Sequence, residues 1–468
     1  MPAVTWFVQT IPLRLLFFCA IVPALWGFGS PARSFPPAFD PVFYAEAVSA
    51  FKAARYGRVI ELYEAVPTTQ HLPEQFLTAA VTSYLREGRP ETAMKTYARL
   101  TAPGHPDHPA LLHDIARALI DSGLRDPQEH LRITAYTALG ETAGAEAISA
   151  LEAGLFDSSI LVRARSAEGL GRAVSAQRAV RPLAPAALRR ALRDAAPAVR
   201  ASALRALGDI GDSSTIEVIA RLANTEEGVV QVFASAALLK LGRSHALADL
   251  LSAATLPDPE FRMAAAGALG RLRHPAGFAL ISQLIYDPDP SVRGFAAGAL
   301  GEYGNPDAAG ALTHAIEDEH PRVRSIAAAS LAKLKLPYTR PVLWQPAKDS
   351  DPLVRAAAVE GLLRMGDHEA LLVAADLAKH PDPSVRSAVA QALGQGRTQA
   401  ALTLLDQLRQ DRQPLPRLTA ARALGKFKGN EAMQLLKKSL ADTDPAVRIT
   451  AAGSVLHHLR LSSHAGQE

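Results

Sequence analysis

Apolar and polar positions repeat along most of this chain with a long, fixed period. The phrase Pro-x-Val-Arg opens an alanine-rich stretch, and its anchor Arg stands at Arg132, Arg163, Arg200, Arg262, Arg293, Arg324, Arg355, Arg386, Arg417 and Arg448, with Gln231 in the one gap. Every step is 31 residues except that from Arg163 to Arg200, which is 37, so six extra residues lie around Ala179 to Ala187. Eleven units are in register. Seven residues past each anchor comes Leu139, Leu170, Leu207, Leu238, Leu269, Leu300, Leu331, Leu362, Leu393 or Leu424, and Val455 ends the series. The position just before it is always Ala, Gly or Ser, which lets a neighbouring helix approach closely. Gly often follows, as at Gly140, Gly208, Gly270, Gly301, Gly394 and Gly425, and is expected to end the first helix in a left-handed cap. A second amphipathic stretch comes next, then an Asp-x-Asp-Pro turn such as Asp287 to Pro290 or Asp442 to Pro445, whose Asp can cap and whose Pro can open the following helix. Each unit is therefore a helical hairpin that cannot bury its apolar face alone, so the units must stack.

Six residues before the anchor an Asp recurs, at Asp126, Asp157, Asp194, Asp287, Asp318, Asp349, Asp411 and Asp442. It closes one hairpin where the Arg opens the next. Paired along the stack, Asp287, Arg293, Asp318, Arg324, Asp349, Arg355, Asp411, Arg417, Asp442 and Arg448 are expected to form a structural ladder of charge-assisted rungs fixing the orientation of successive units. With this Asp/Arg spacing and fixed period, residues 126–460 resemble the HEAT-repeat family, in the short-unit form of phycobilisome-lyase-type proteins. The resemblance implies an all-α, right-handed solenoid of eleven hairpins, the last truncated, with residues 461–468 as a tail. It is specific for fold and not for function.

Ahead of the solenoid, residues 40–102 hold two hairpins, Ala47 to Val66 around Tyr56, Gly57 and Tyr63, and Ala79 to Leu100 around Tyr84, Gly88, Ala93 and Tyr97, that resemble tetratricopeptide units. Residues 103–125 form a Pro/His-rich connector and a lead-in helix, Ala110 to Ser122.

Composition sharpens this picture in three ways. Hydrophobic residues are 48% of the 468 and aromatics 6%, enough for a sizeable core built from small side chains. The 50 basic and 46 acidic residues leave a formal charge of +4 with no Lys/Arg block standing clear of acids, so nothing marks nucleic acid as a partner. The single cysteine, Cys19, lies inside an N-terminal apolar run from Leu15 to Leu25, preceded by Arg14 and followed by small residues to Ser34. That is the layout of a secretory signal peptide, cleavable after Gly29 or Ser34. Read from Trp6 to Phe28, the same stretch is long enough to be a retained membrane anchor, and both readings stay open. Either implies an exported protein of the periplasm or cell envelope that contacts the membrane only through residues 1–34, and removal of that segment leaves no thiol for disulfide or catalytic chemistry.

Candidate chemistry is sparse. The connector residues His105, Asp107, His108 and His113 carry imidazole and carboxylate groups that suit transition metals, but their spacing fits no zinc pattern and no metal is expected. In the deoxyhypusine hydroxylase family, paired His-Glu steps on several repeats hold two irons. Here only His368-Glu369 has that order, too few for such a set. No nucleophilic triad or phosphate loop is present, and no cofactor is expected. A lyase-like or metal-dependent oxidoreductase or hydroxylase-like enzyme remains the alternative reading.

The leading functional candidate is a surface. Twenty-one residues past the anchors stand Arg221, Ser252, Gln283, His314, Gln345, Asp376, Gln407 and Lys438, a polar ladder on one face of the second helices. The HEAT resemblance implies that second helices line the concave side, so this ladder is expected to floor a groove for a protein or peptide partner. A plain solvated face explains the polarity equally well. In the unit after Arg324 the second helix is interrupted by Pro337, Pro341 and Pro346, and Trp344 stands beside the ladder position. Trp344 is either a binding hot spot in the groove or a filler of space left by the broken helix. The expected protein is a non-catalytic interaction scaffold.

Overall fold

The computed structural model describes residues 41–465, except 68–69, 102–106, 143 and 177–183. The expected export segment, Cys19 and His105 lie outside the described residues, as does part of the six-residue insertion. Among the described residues every regular element is helical and no helix is long and apolar enough to cross a membrane. The described residues divide into two compact units, one up to Ser83 and one from Tyr84 onward.

In the smaller unit, α1 (Pro41–Lys52) and α2 (Tyr56–Glu64) form a hairpin turned at Ala54, whose φ is +53°. Phe76 is the hub of its core, meeting Phe43 and Tyr63 edge to face at 6.2 and 6.1 Å. It belongs to α3 (Glu74–Arg86), which runs into the larger unit. There α4 (Pro90–Leu100) buries Ala93 and Tyr97, and the Tyr97 hydroxyl accepts the His108 N–H at 3.2 Å. Burial pushes the Tyr97 phenol up to about 12. Next comes α5 (Pro109–Leu124), the lead-in helix.

Eleven repeat units follow, numbered 1 to 11 by their anchors. Their first helices run from Glu129–Thr142 in unit 1 to Pro445–Ala465 in unit 11. Their N-termini form as the Asp-Pro turns predict: Asp289 accepts the Ser291 N–H at 2.7 Å, and Asp444 accepts those of Ala446 and Val447 at 2.8 and 3.2 Å. The expected glycine cap lies elsewhere. The left-handed position is eleven residues past the anchor, at Gly211, Gly242, Arg273, Gly304, Lys335, Gly366 and Arg397. The glycines following the conserved-register Leu stay helical, because their task is contact. A Cβ on Gly270 would stand 2.8 Å from the Cβ of Ala299, and one on Gly301 would stand 2.6 Å from that of Ser330. Ala299 and Ser330 are the small residues six past the next anchors, so the two small columns are the two halves of one helix–helix contact.

Each first helix packs on the next around the whole series, and the first helix of unit 11 packs on that of unit 1. The stack closes into a ring. A Cβ on Gly453 would stand 2.9 Å from the Cβ of Ala138, as close as between sequential units but from the fifth residue past the anchor and not the eighth. Arg422 pairs with Glu141 at 3.7 Å, Arg448 with Glu91 at 3.5 Å, and Lys437 with Asp107. At the seam α5 packs on both first helices, in the place that second helices take between other units. The first helix of unit 11 and the lead-in helix pack as the two halves of one unit do.

Candidate interaction surfaces of the ring

Closure decides which layer faces inward. First helices touch one another all round, whereas second helices rest on first helices and scarcely meet each other. In a closed ring the layer at smaller radius is the crowded one. The first helices therefore form the inner wall and the second helices the outer. Burial agrees: Ile216–Thr225 in unit 3 buries only Ile219 and Ala223, and Ala246–Ala253 in unit 4 only Ala246, Leu250 and Ala253. Eleven helix axes spaced about 8–10 Å apart close a circle roughly 28–35 Å across, and helices about 10–12 Å thick leave an opening of about 17–23 Å.

The sequence expectation that second helices line the concave side is thus reversed. Arg221, Ser252, Gln283, His314, Gln345, Asp376, Gln407 and Lys438 are all exposed, but they stand on the outer wall, where no groove floor runs. His314 lies over the Tyr286 ring at 4.9 Å and Gln345 donates to Glu317 at 3.3 Å. Trp344 is not a free aromatic. Around it the interrupted helix becomes three short turns, Pro337–Thr339, Arg340–Leu343 and Pro346–Lys348. The Trp344 indole N–H donates at 3.1 Å to Asp367, a carboxylate 2% exposed, which Arg340 also contacts at 2.8 Å. Burial alone would raise the Asp367 carboxyl, yet Arg340, Trp344 and the Glu369 N–H together hold it below the ordinary range. The indole is therefore tied to the next unit.

The Asp/Arg ladder is built as bidentate rungs. Arg324 donates from Nε and Nη2 to the two Asp349 oxygens, both at 2.8 Å, and from Nη1 to the carbonyls of Asp318 and Glu319 at 2.9 and 3.0 Å. One guanidinium thus ties its own turn to that of the next unit. Arg132–Asp157, Arg163–Asp194, Arg262–Asp287, Arg293–Asp318, Arg386–Asp411 and Arg417–Asp442 are paired alike. Arg324 pulls the Asp349 carboxyl, and Arg163 that of Asp194, below the usual range against the opposing effect of burial. Two expected rungs depart from this pattern. Position 380, which should face Arg355, is His380, so Arg355 keeps only its carbonyl bonds. Arg448 reaches Glu91 in place of an Asp. At the one anchor gap both halves are lost together, with Gln231 facing Leu256.

The inner wall is the surface that sequence reasoning missed. Offsets −2, +2, +5 and +9 from the anchor share one helical face, and in unit 6 they are Ser291, Phe295, Gly298 and Glu302, while Val292, Ala296, Ala297 and Leu300 are buried. Towards the N-terminal rim this face carries Phe233, Phe295, Ile326, Leu161, Leu353 and Leu415 beside the charged Arg165, Glu260 and Arg322, with Phe295 and Leu161 50% and 55% exposed. Towards the C-terminal rim it carries charge. The signal that could have found it is the 31-residue column beginning Glu141, Arg172, Asp209, Lys240, Arg271, Glu302. Among the described residues no group of three or more His, Cys, Asp and Glu is placed to hold a metal; His368 and Glu369 are exposed, and His113 contacts Asp114 at 3.4 Å.

The model of HEAT repeats matches residues 154–238, 278–348, 340–414 and 401–455, more than half of the chain, and the chain belongs to that family. No curated protein sequence matches it significantly. Among solved structures, human deoxyhypusine hydroxylase is 20% identical over 54% of this chain and 96% of its own, with a TM-score of 0.30. The CpcE–CpcF complex of phycocyanin lyase from a Nostoc species is 19% identical over 58% and 94%, with a TM-score of 0.32. Karyopherin Kap121p bound to Pho4p is 15% identical over 83% of this chain and 54% of its own, with a TM-score of 0.34.

Proposed function

We propose that this protein is a non-catalytic interaction scaffold of the cell envelope that holds a protein or peptide partner inside its ring. The observation that carries the reading is the solvent-open apolar inner wall around Phe295. Exposed apolar surface on an otherwise well-packed fold marks a place where another molecule sits, and an opening of about 17–23 Å admits a helix about 10–12 Å across. The envelope assignment rests on the layout of residues 1–34.

A photo-cross-linking amino acid placed at Phe295 or Gly298, and for comparison at Gln283 on the outer wall, tests the proposal in intact cells. Adducts from the inner positions that are absent from Gln283 support it. Adducts from Gln283 alone, or from none of the three, would sink it. N-terminal sequencing of the protein released from the envelope, beginning after Gly29 or Ser34, checks the export reading.

A further inference from the structure

At the +5 and +9 offsets the inner wall carries eight cations and five carboxylates. Five pairs account for all the carboxylates: Arg422–Glu141, Arg205–Glu168, Lys240–Asp209, Lys333–Glu302 and Arg364–Glu360. Arg172, Arg271 and Lys426 have no carboxylate at ion-pair distance among the described residues, and Arg172 has only the Gly140 carbonyl, at 3.3 Å. They stand in units 2, 5 and 10, so Arg271 and Lys426 face each other across the opening. Burial, then Arg205, weakens the hold of Arg271 on its proton against the longer-range pull of Asp209 and Glu302, and burial likewise lowers Lys426, where Glu360 and Glu141 partly oppose Arg364 and Arg422. The C-terminal ends of the first helices favour cations at this rim, but the same holds for Lys240 and Lys333, which nonetheless have carboxylates one unit back. At these two offsets the surplus is therefore specific to three places.

Resting on the reading of the lumen as the binding surface, we propose that its occupant is an acidic polypeptide segment, whose carboxylates meet Arg172, Arg271 and Lys426 while its apolar side chains lie against Phe233, Phe295 and Ile326. A polypeptide fits better than a nucleic acid because the cations border an apolar wall and, with Arg322 at the opposite rim included, number only four beyond their pairs.

The test uses purified full-length protein and fluorescent peptides of about 20 residues, long enough to span the wall, made of Glu with Leu and Ala, of Lys with Leu and Ala, and of Gln with Leu and Ala. The Glu peptide is expected to bind, and to bind less tightly as salt rises. Arg271→Gln with Lys426→Gln should weaken it by about tenfold or more, with an unchanged melting temperature confirming the fold. Arg221→Gln with Lys438→Gln on the outer wall should change nothing. Equal binding of the Gln peptide, an equal loss in the outer-wall variant, or tighter binding of a single-stranded oligonucleotide would overturn the inference. Inner-wall cross-links to a partner without charge preference would overturn it while leaving the lumen reading standing. Loss of binding only in the outer-wall variant would overturn both.

Discussion

At the scale of single residues, stability is concentrated in side chains that join one unit to the next. Arg324 and Asp349 are mostly shielded, with side chains 16% and 12% exposed, so removing one partner strands the other. Arg324→Ala should lower the free energy of unfolding by about 1–3 kcal/mol, and Arg324→Lys by less, because an ammonium cannot reproduce the fork; denaturant titration of both variants checks this. The same rungs set the acid response. Asp157, Asp194, Asp318, Asp349 and Asp411 all have carboxyls held below their ordinary range. Their contribution is present in full above the unfolded carboxylate value of about 4 and disappears as pH falls through the lower folded values. Circular dichroism between neutral pH and strong acid should show stability steady down to about pH 4–5 and falling below it, with a shallower fall in Arg324→Ala. Trp344→Phe keeps the ring but removes a donor from buried Asp367, and should cost about 1–2 kcal/mol. Loss of partner capture at unchanged melting temperature would instead make Trp344 a contact residue.

At the scale of elements, the two helices of each hairpin have unequal duties. First helices need small residues on both flanks, as the Gly270–Ala299 and Gly301–Ser330 contacts require, whereas second helices present one narrow apolar stripe and tolerate interruption, as at Pro341. Gly301→Val should therefore destabilise by about 1–3 kcal/mol through overpacking, measured by thermal melting. The hairpins, the period and the partner of nearly every rung were legible in the sequence because each depends on spacing within or between adjacent units. The glycine caps were misplaced because a glycine beside a Leu reads alike whether its missing Cβ serves a positive φ or a neighbouring helix. Arg273 and Lys335, which take the left-handed position, carry no glycine to reveal it.

At the scale of the larger unit, closure removes the exposed ends that a linear stack must cap. Gly453→Val, placed where a Cβ already falls 2.9 Å from Ala138, should open the seam before it unfolds the units. Small-angle scattering would then report a larger radius of gyration with helix content retained; an unchanged radius would show that the seam tolerates the side chain. The sequence by itself determined that there are eleven repeat units, where their anchors fall and how neighbours are bolted together, since these are short-range matters of periodicity and complementary charge. Only the tertiary structure decided that the stack bends back on itself, that α5 completes the unit begun at Pro445, and that the first helices look inward. Those outcomes depend on the small angle between successive units summed over all eleven, a quantity that no single 31-residue repeat spells out.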